Sequence, residues 1–125
     1  MAAKRVLVAD SDARRRRVTA TLLKLGGYEV VEAGRLAEVA AAGRAGVDAL
    51  VTEADLTDGD AIAYAARLRA HPATARLPII IATSDESKRP AAVRALGPDA
   101  FLAMPYRPTE LYERLALSLS SSTAG

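Results

Sequence analysis

Cysteine and tryptophan are absent from the 125-residue sequence, and histidine occurs once. Without thiols, disulfide frameworks, thiolate zinc sites and a cysteine nucleophile are excluded. With His71 alone, neither a histidine-based metal centre nor a Ser-His-Asp triad is expected. Aromatic residues make up only 4% of the chain, so the core has to be built from Val, Leu, Ile and Ala. Charge of one sign is scarce too. Seventeen Lys and Arg face 15 Asp and Glu, a net +2, too weak a field to suggest nucleic-acid binding by itself. Long apolar runs are missing: the longest, Pro78 to Ala82, is strand-sized and far short of a membrane span. The opening Met1-Ala-Ala-Lys-Arg leads into only four apolar residues before Asp10, which is not a signal-peptide pattern. The expected compartment is the cytoplasm, with no membrane partner.

The length is that of one ordinary domain. Five short apolar runs recur at near-even spacing: Val6–Ala9, Tyr28–Val31, Ala49–Val51, Leu77–Ala82 and Ala100–Ala103. Each precedes a segment of helical character, the pattern of βα units around a parallel sheet buried on both faces. Asp12 reads as the N-cap of a first helix whose Val18, Leu22 and Leu25 recur at helical spacing, with Gly26-Gly27 ending it. A second helix is predicted from about Leu36 to Arg44. A third starts near Asp58-Gly59, turns Ile62, Ala65, Ala66 and Leu68 inward, and ends at His71-Pro72. A fourth follows Ser87 with Pro90 in its first turn and ends at Gly97. A fifth begins at Pro108 and carries Leu111, Leu115 and Leu119 on one stripe. Ser118 to Gly125 is small and polar, so one domain is expected over residues 1–120 with a flexible tail or linker start at 121–125.

Five βα units suggest an open doubly wound α/β sheet, whose functional crevice lies beyond the carboxyl ends of the strands. The residues there are Asp10-Ser11-Asp12 after the first strand, Glu53 and Asp55 after the third, Thr83-Ser84 after the fourth and Met104-Pro105 after the fifth. An acid, an acid, a hydroxyl and an X-Pro in that order is distinctive. Together with Arg5–Asp12, Gly26-Gly27-Tyr28-Glu29-Val30, Asp48–Glu53, Leu77–Thr83 and Ala100–Tyr106, it resembles the CheY-like receiver domain of two-component response regulators, over about residues 4 to 120. The resemblance implies a three-layer flavodoxin-like fold: a five-stranded parallel sheet of order 2-1-3-4-5, two helices on one face and three on the other. It also implies a cis Met104–Pro105 bond and no enzymatic activity of the chain's own.

In that family an aspartate on the third strand accepts a phosphoryl group. Two acids after the first strand help to hold Mg²⁺, and a lysine before the proline pairs with the phosphoryl oxygens. A hydroxyl and an aromatic report the change. The residues matching those positions here are Glu53 for the acceptor, Asp10 and Ser11 for the acid pair, Met104 for the lysine, and Thr83 and Phe101 for the switch pair. Asp12 and Asp55 complete the acidic remnant. The loop Ala54–Gly59 is about two residues short. Glutamate carries its carboxylate one methylene too far for a transfer that depends on position, where an error of about 1 Å can cost roughly 100-fold. Ser11 offers a neutral ligand to a hard cation, and Met104 supplies no charge for the phosphoryl oxygens. No metal or other cofactor is therefore expected, Mg²⁺ binding being weak or absent.

The resulting reading is a pseudo-receiver: a receiver fold without aspartyl phosphorylation, serving as a protein–protein interaction module in bacterial signalling. The resemblance points to helix four, strand five and helix five as its face, with Arg89, Arg94, Tyr106, Tyr112 and Arg114 as contacts for a signalling protein or a second copy of the chain. Glu53 is the one residue that could imitate a phosphorylated state, by hydrogen bonding to Thr83. Two alternatives stand beside this. One is a working Mg²⁺-dependent receiver with a displaced acceptor such as Asp55. The other is ligand or nucleic-acid binding through Arg14-Arg15-Arg16-Arg17. Against the latter, that run reads first as a solvated face, compensated by Asp10, Asp12 and Asp55, and consecutive helical residues cannot share one face. Asp12 reads equally as a cap and Asp55 and Asp58 as turn residues; His71 suits a helix C-terminus.

Overall fold

A computed structural model describes residues 3–124, with side chains through Ser121. Strands β1 (Arg5–Ala9), β2 (Glu29–Ala33), β3 (Ala49–Thr52), β6 (Ile79–Thr83) and β7 (Phe101–Ala103) form one parallel sheet, in the order β2-β1-β3-β6-β7. Counting only these five, that is the expected 2-1-3-4-5. Register runs in phase from the edge inward, with Val6 opposite Val30 and Ala49, and Val51 opposite Ile80. Helices α1 (Ala13–Leu25) and α5 (Pro108–Ala124) cover one face, where Leu23, Leu111 and Leu115 pack on Val6, Val8, Ile80 and Leu102. Helices α2 (Leu36–Ala45), α3 (Ala61–Ala70) and α4 (Arg89–Leu96) cover the other, where Val39, Ile62, Ala65 and Ala92 pack on Leu7, Leu50, Ile79, Ile81 and Phe101. Among the described residues no helix is long and apolar enough to cross a membrane.

The sequence-based elements need five corrections. On α1 the buried residues are Thr19, Ala20 and Leu23, while Val18 and Leu25 are 60% and 77% exposed. Small side chains let α1 approach the sheet, so of the spaced residues Val18, Leu22 and Leu25 only Leu22 packs, partly buried, against the core. On α3, Ala66 is exposed and Ala61 takes a place in the core. That helix starts at Ala61, capped by Asp60, because the shortened loop folds into a hairpin of β4 (Asp55–Leu56) and β5 (Gly59–Asp60). Before α4, Glu86–Lys88 forms a single 3₁₀ turn. Finally, α5 continues to Ala124, through the stretch expected to be a polar tail. Half-buried Leu119, on the stripe begun by Leu111 and Leu115, carries the packing past Ser118; Gly125 lies outside the described residues.

Two close contacts fix the helices around the crevice. A Cβ on Gly26 would lie 2.7 Å from the Tyr112 ring, so only glycine lets the end of α1 reach α5. The Tyr112 hydroxyl donates to Leu22 O at 2.6 Å across the same junction. On the other face the Asp58 carboxylate, from the turn between β4 and β5, accepts from the amides of Leu36 (2.6 Å) and Ala37 (3.1 Å). Arg35 makes no side-chain cap there, so the first turn of α2 is capped by the loop after β3.

Candidate functional site

The strand ends carry the predicted residues to one rim. Asp10 follows β1 and is 6% exposed. One of its carboxylate oxygens accepts from the Asp12 amide at 2.9 Å. Asp12 then caps α1, accepting from the Arg15 amide at 3.0 Å. That bond is the chief reason the Asp12 carboxyl titrates below its ordinary range. Arg15 therefore occupies the third residue of α1, from which a side chain reaches back over the helix start, as in a capping box. Its guanidinium takes both oxygens of Asp10, with Nε–Oδ2 at 2.5 Å and Nη2–Oδ1 at 2.8 Å. Its Nη2 lies 3.6 Å from Glu53 Oε2. The hydrogen bond to Asp10 is the main cause that raises the Arg15 pKa further above its ordinary value.

Glu53 follows β3, and its other carboxylate oxygen accepts from the Ala54 amide at 2.8 Å. Its carboxylate is thus held against the backbone and the Arg15 side chain. The imagined bond to Thr83 is not made: the Thr83 hydroxyl accepts from the Asp85 amide at 3.2 Å. Ser11 also departs from the role its position suggests. Its hydroxyl donates to Gly34 O at 2.8 Å and accepts from the Thr57 amide at 2.9 Å, so it ties the loop after β2 to the loop after β3. Asp55 is equally removed from the pocket. It sits on the small hairpin with Lys88 Nζ 3.3 Å from its carboxylate, and that bond raises the Lys88 pKa.

On the far side, Met104 lines the same small hollow as Asp10, Thr19, Glu53 and Ala82, and the Met104–Pro105 bond is cis, as expected. Phe101 is 1% exposed and carries the Arg89 guanidinium 4.4 Å above its ring. Tyr106 turns inward, its hydroxyl 3.0 Å from Thr19 Oγ1. Burial pushes the phenol up, with Thr19 opposing.

Of the residues proposed as partner contacts, Arg94 is exposed and, among the described residues, makes no hydrogen bond or ion pair. Arg89 forms a two-pronged pair with Glu86, both bonds 2.9 Å. Arg114 donates to Asp99 O and Phe101 O. Tyr112 and Tyr106 bridge to α1 as described. These four are framework first, and any partner meets them through what remains exposed.

The arginine run resolves residue by residue. Arg15 enters the pocket. Arg16 donates to Asp10 O at 2.8 Å and pairs with Glu32 at 3.1 Å, and Arg17 pairs with the same Glu32 at 3.0 Å. The compensating acids are thus Asp10, Asp12, Glu53 and Glu32, and Asp55 is not among them. Glu32 and the reach of Arg15 were missed from sequence. The signal for Arg15 was there: an arginine three residues after an N-cap, with an acid two residues before the cap.

The site does not fit a divalent cation. Both oxygens of Asp10 are bonded to a guanidinium, and the Ser11 hydroxyl is neutral and engaged with two backbone partners. Among the described residues no group of three or more acidic or histidine side chains is placed to hold a metal ion. The larger cleft, between α2 and α3 at the opposite ends of the strands, is lined mainly by apolar and small residues such as Val39, Gly43, Leu68 and Ala73.

Similarity to known proteins follows the same fold. The family model of the response regulator receiver domain matches residues 6–116. A response regulator from Chloroflexus aurantiacus J-10-fl has 30% identity and a TM-score of 0.87, covering 95% of this chain and 99% of that one. The chemotaxis response regulator CheY4 of Vibrio cholerae has 21% identity and a TM-score of 0.81, over 94% of this chain and 99% of that one. The receiver domain of the sensor histidine kinase PA1611 of Pseudomonas aeruginosa PAO1, with a magnesium ion in its active site cleft, has 24% identity and a TM-score of 0.83, over 95% and 99%. No curated protein matches the chain. With that family match spanning residues 6–116, this chain belongs to the response regulator receiver domain family of two-component signalling.

Proposed function

We propose that this receiver domain works without aspartyl phosphorylation, as a protein–protein interaction module in the cytoplasm with no catalytic activity of its own. The observation that carries the reading is Glu53. It stands at the acceptor position, and its carboxylate is bound back onto the Ala54 amide at 2.8 Å. An uncharged Met104 lines the hollow beside it. Phosphoryl transfer is almost entirely positioning and charge stabilisation, and both supports are altered here. The partner surface is the one formed by α4, β7 and α5. There Arg94 is exposed, and the ordered Arg89–Glu86 and Arg114 contacts give a rigid base. A signalling protein with an acidic patch, or a second copy of the chain, is the partner class. The arginines of α1 support nucleic-acid binding less well, since Arg15, Arg16 and Arg17 are already paired with acids.

A second reading has one observation in its favour. Asp55 has the Lys88 ammonium 3.3 Å from its carboxylate, so a displaced acceptor would have a cation beside it. Intact-protein mass after incubation with acetyl phosphate and Mg²⁺ separates the two, with Asp55→Asn and Glu53→Gln measured alongside. No added phosphoryl mass is expected. A single added phosphoryl group abolished by Asp55→Asn would establish the displaced acceptor instead.

A further inference from the structure

We propose that the Arg15 guanidinium is the resident cation of this site, a tethered side chain standing where the fold otherwise calls for a divalent ion. The inference rests on the reading of the site as non-phosphorylating and adds what holds it in one state. Asp10 and Glu53 converge on one rim with side chains only 8% and 12% exposed. Two carboxylates withdrawn from water at close quarters need a counter-charge. A hard divalent cation would meet it with oxygen ligands, several of them charged. Here Ser11 has no charge to give, and its hydroxyl is occupied on both sides. The planar guanidinium meets the need differently: its fork matches one carboxylate in two parallel bonds, and Nη2, one of the two nitrogens in those bonds, also lies within ion-pair reach of the second carboxylate. The distances follow that pattern, 2.5 and 2.8 Å to Asp10 and 3.6 Å to Glu53.

The placement is built into the backbone. Asp10 accepts the Asp12 amide, Asp12 accepts the Arg15 amide, and Arg16 donates to Asp10 O. A cation at the start of a helix opposes the helix dipole, so Arg15 sits there because of the acids it meets. Since the counter-charge is part of the chain, part of the negative charge of the pocket is offset whatever the supply of metal ions. Access of another cation to Asp10 then requires the Arg15 side chain to leave its two bonds there.

The test is Mn²⁺ binding, followed by melting temperature and by calorimetric titration of the full chain, with no phosphoryl donor present. The unaltered protein is expected to show no shift in melting temperature up to about 10 mM Mn²⁺. Arg15→Ala is expected to melt lower in the absence of metal and to regain about 5 °C as Mn²⁺ rises through millimolar concentrations, the response of a newly opened weak site. Arg15→Gln, which keeps a stem and hydrogen-bond donors but no charge, should behave in the same way and serves if the alanine variant does not fold. Adding Asp10→Asn to either should abolish the response, which assigns the ion to this pocket. An equal Mn²⁺ shift in the unaltered protein overturns the proposal, and so does the absence of any shift in both Arg15 variants. Phosphoryl mass gain in a protein that ignores Mn²⁺ would instead defeat the functional reading and leave the role of Arg15 intact.

Discussion

The two halves of the strand-end crevice are held by different physics. On the β1–β3 side, every polar group that matches the family's pattern has been redirected to a partner inside the chain: Asp10 to Arg15, Ser11 to two loops, Glu53 to Ala54. On the β6–β7 side Met104 stands where the family has a lysine, and the residues around it are held by packing. Thr83 lies 3% exposed at the end of β6, Phe101 is buried in the core, and the Met104–Pro105 bond is cis. The first half is a network of hydrogen bonds and ion pairs near the surface. The second is packed apolar surface with one hydroxyl. The β6–β7 half is therefore stabilised by burial and not by the polar groups of the pocket.

The largest expected effect comes from the packed half. Phe101→Ala removes a ring that is 1% exposed and the platform under Arg89, and should cost about 3–5 kcal/mol in urea unfolding. Ser11→Ala, in the networked half, leaves Gly34 O and the Thr57 amide without their shared partner. Because Thr57 is exposed and water can replace part of the contact, the expected loss is about 1 kcal/mol. If the Ser11 variant cost as much as the Phe101 variant, the division between a packed half and a networked half would be wrong. Tyr112→Phe sharpens the comparison across the α1–α5 junction. It removes the bond to Leu22 O but keeps the ring against Gly26, and should cost about 1 kcal/mol or slightly less. A larger loss would show that the hydroxyl, more than the close approach at Gly26, fixes α1 against α5.

What was legible in the sequence follows the same division. Short apolar runs such as Val6–Ala9 and Leu77–Ala82 announce buried parallel strands, because both faces must be apolar, and the residues after each run locate the crevice. Phe101, Thr83 and the cis bond at Pro105 fall where expected because their positions in or just after a strand follow from the apolar runs. The roles of Arg15, Glu32 and Asp58 do not follow in that way, because they depend on how far a long or polar side chain reaches across to another element. Apolar spacing misled on α1, where Thr19 and Ala20 face the sheet and Val18 and Leu25 do not: a helix that must lie close uses small residues, and these weigh little in a hydrophobic pattern. The serine-rich end of α5 was misread for a related reason. Its composition looks like a tail, yet Leu119 keeps the stripe going.

The smallest expected effect tests whether the networked half acts through charge or through shape. The Asp58 carboxyl is held below its ordinary range, chiefly by the Leu36 amide and further by Ala37. Its folded pKa is depressed relative to the unfolded chain, so its contribution is complete above the ordinary range near pH 4 and is lost as pH falls through the lower folded value. Asp58→Asn keeps an oxygen for one of the two amides and removes the titration. The melting temperature of the variant should therefore lie below that of the unaltered protein above about pH 5, and the gap should narrow as pH falls below the ordinary carboxylate range. Comparison of the two melting curves across that range checks it. A gap independent of pH would mean that Asp58 caps α2 by shape alone, and the anchor between α2 and the loop after β3 would then belong with the packed half of the molecule.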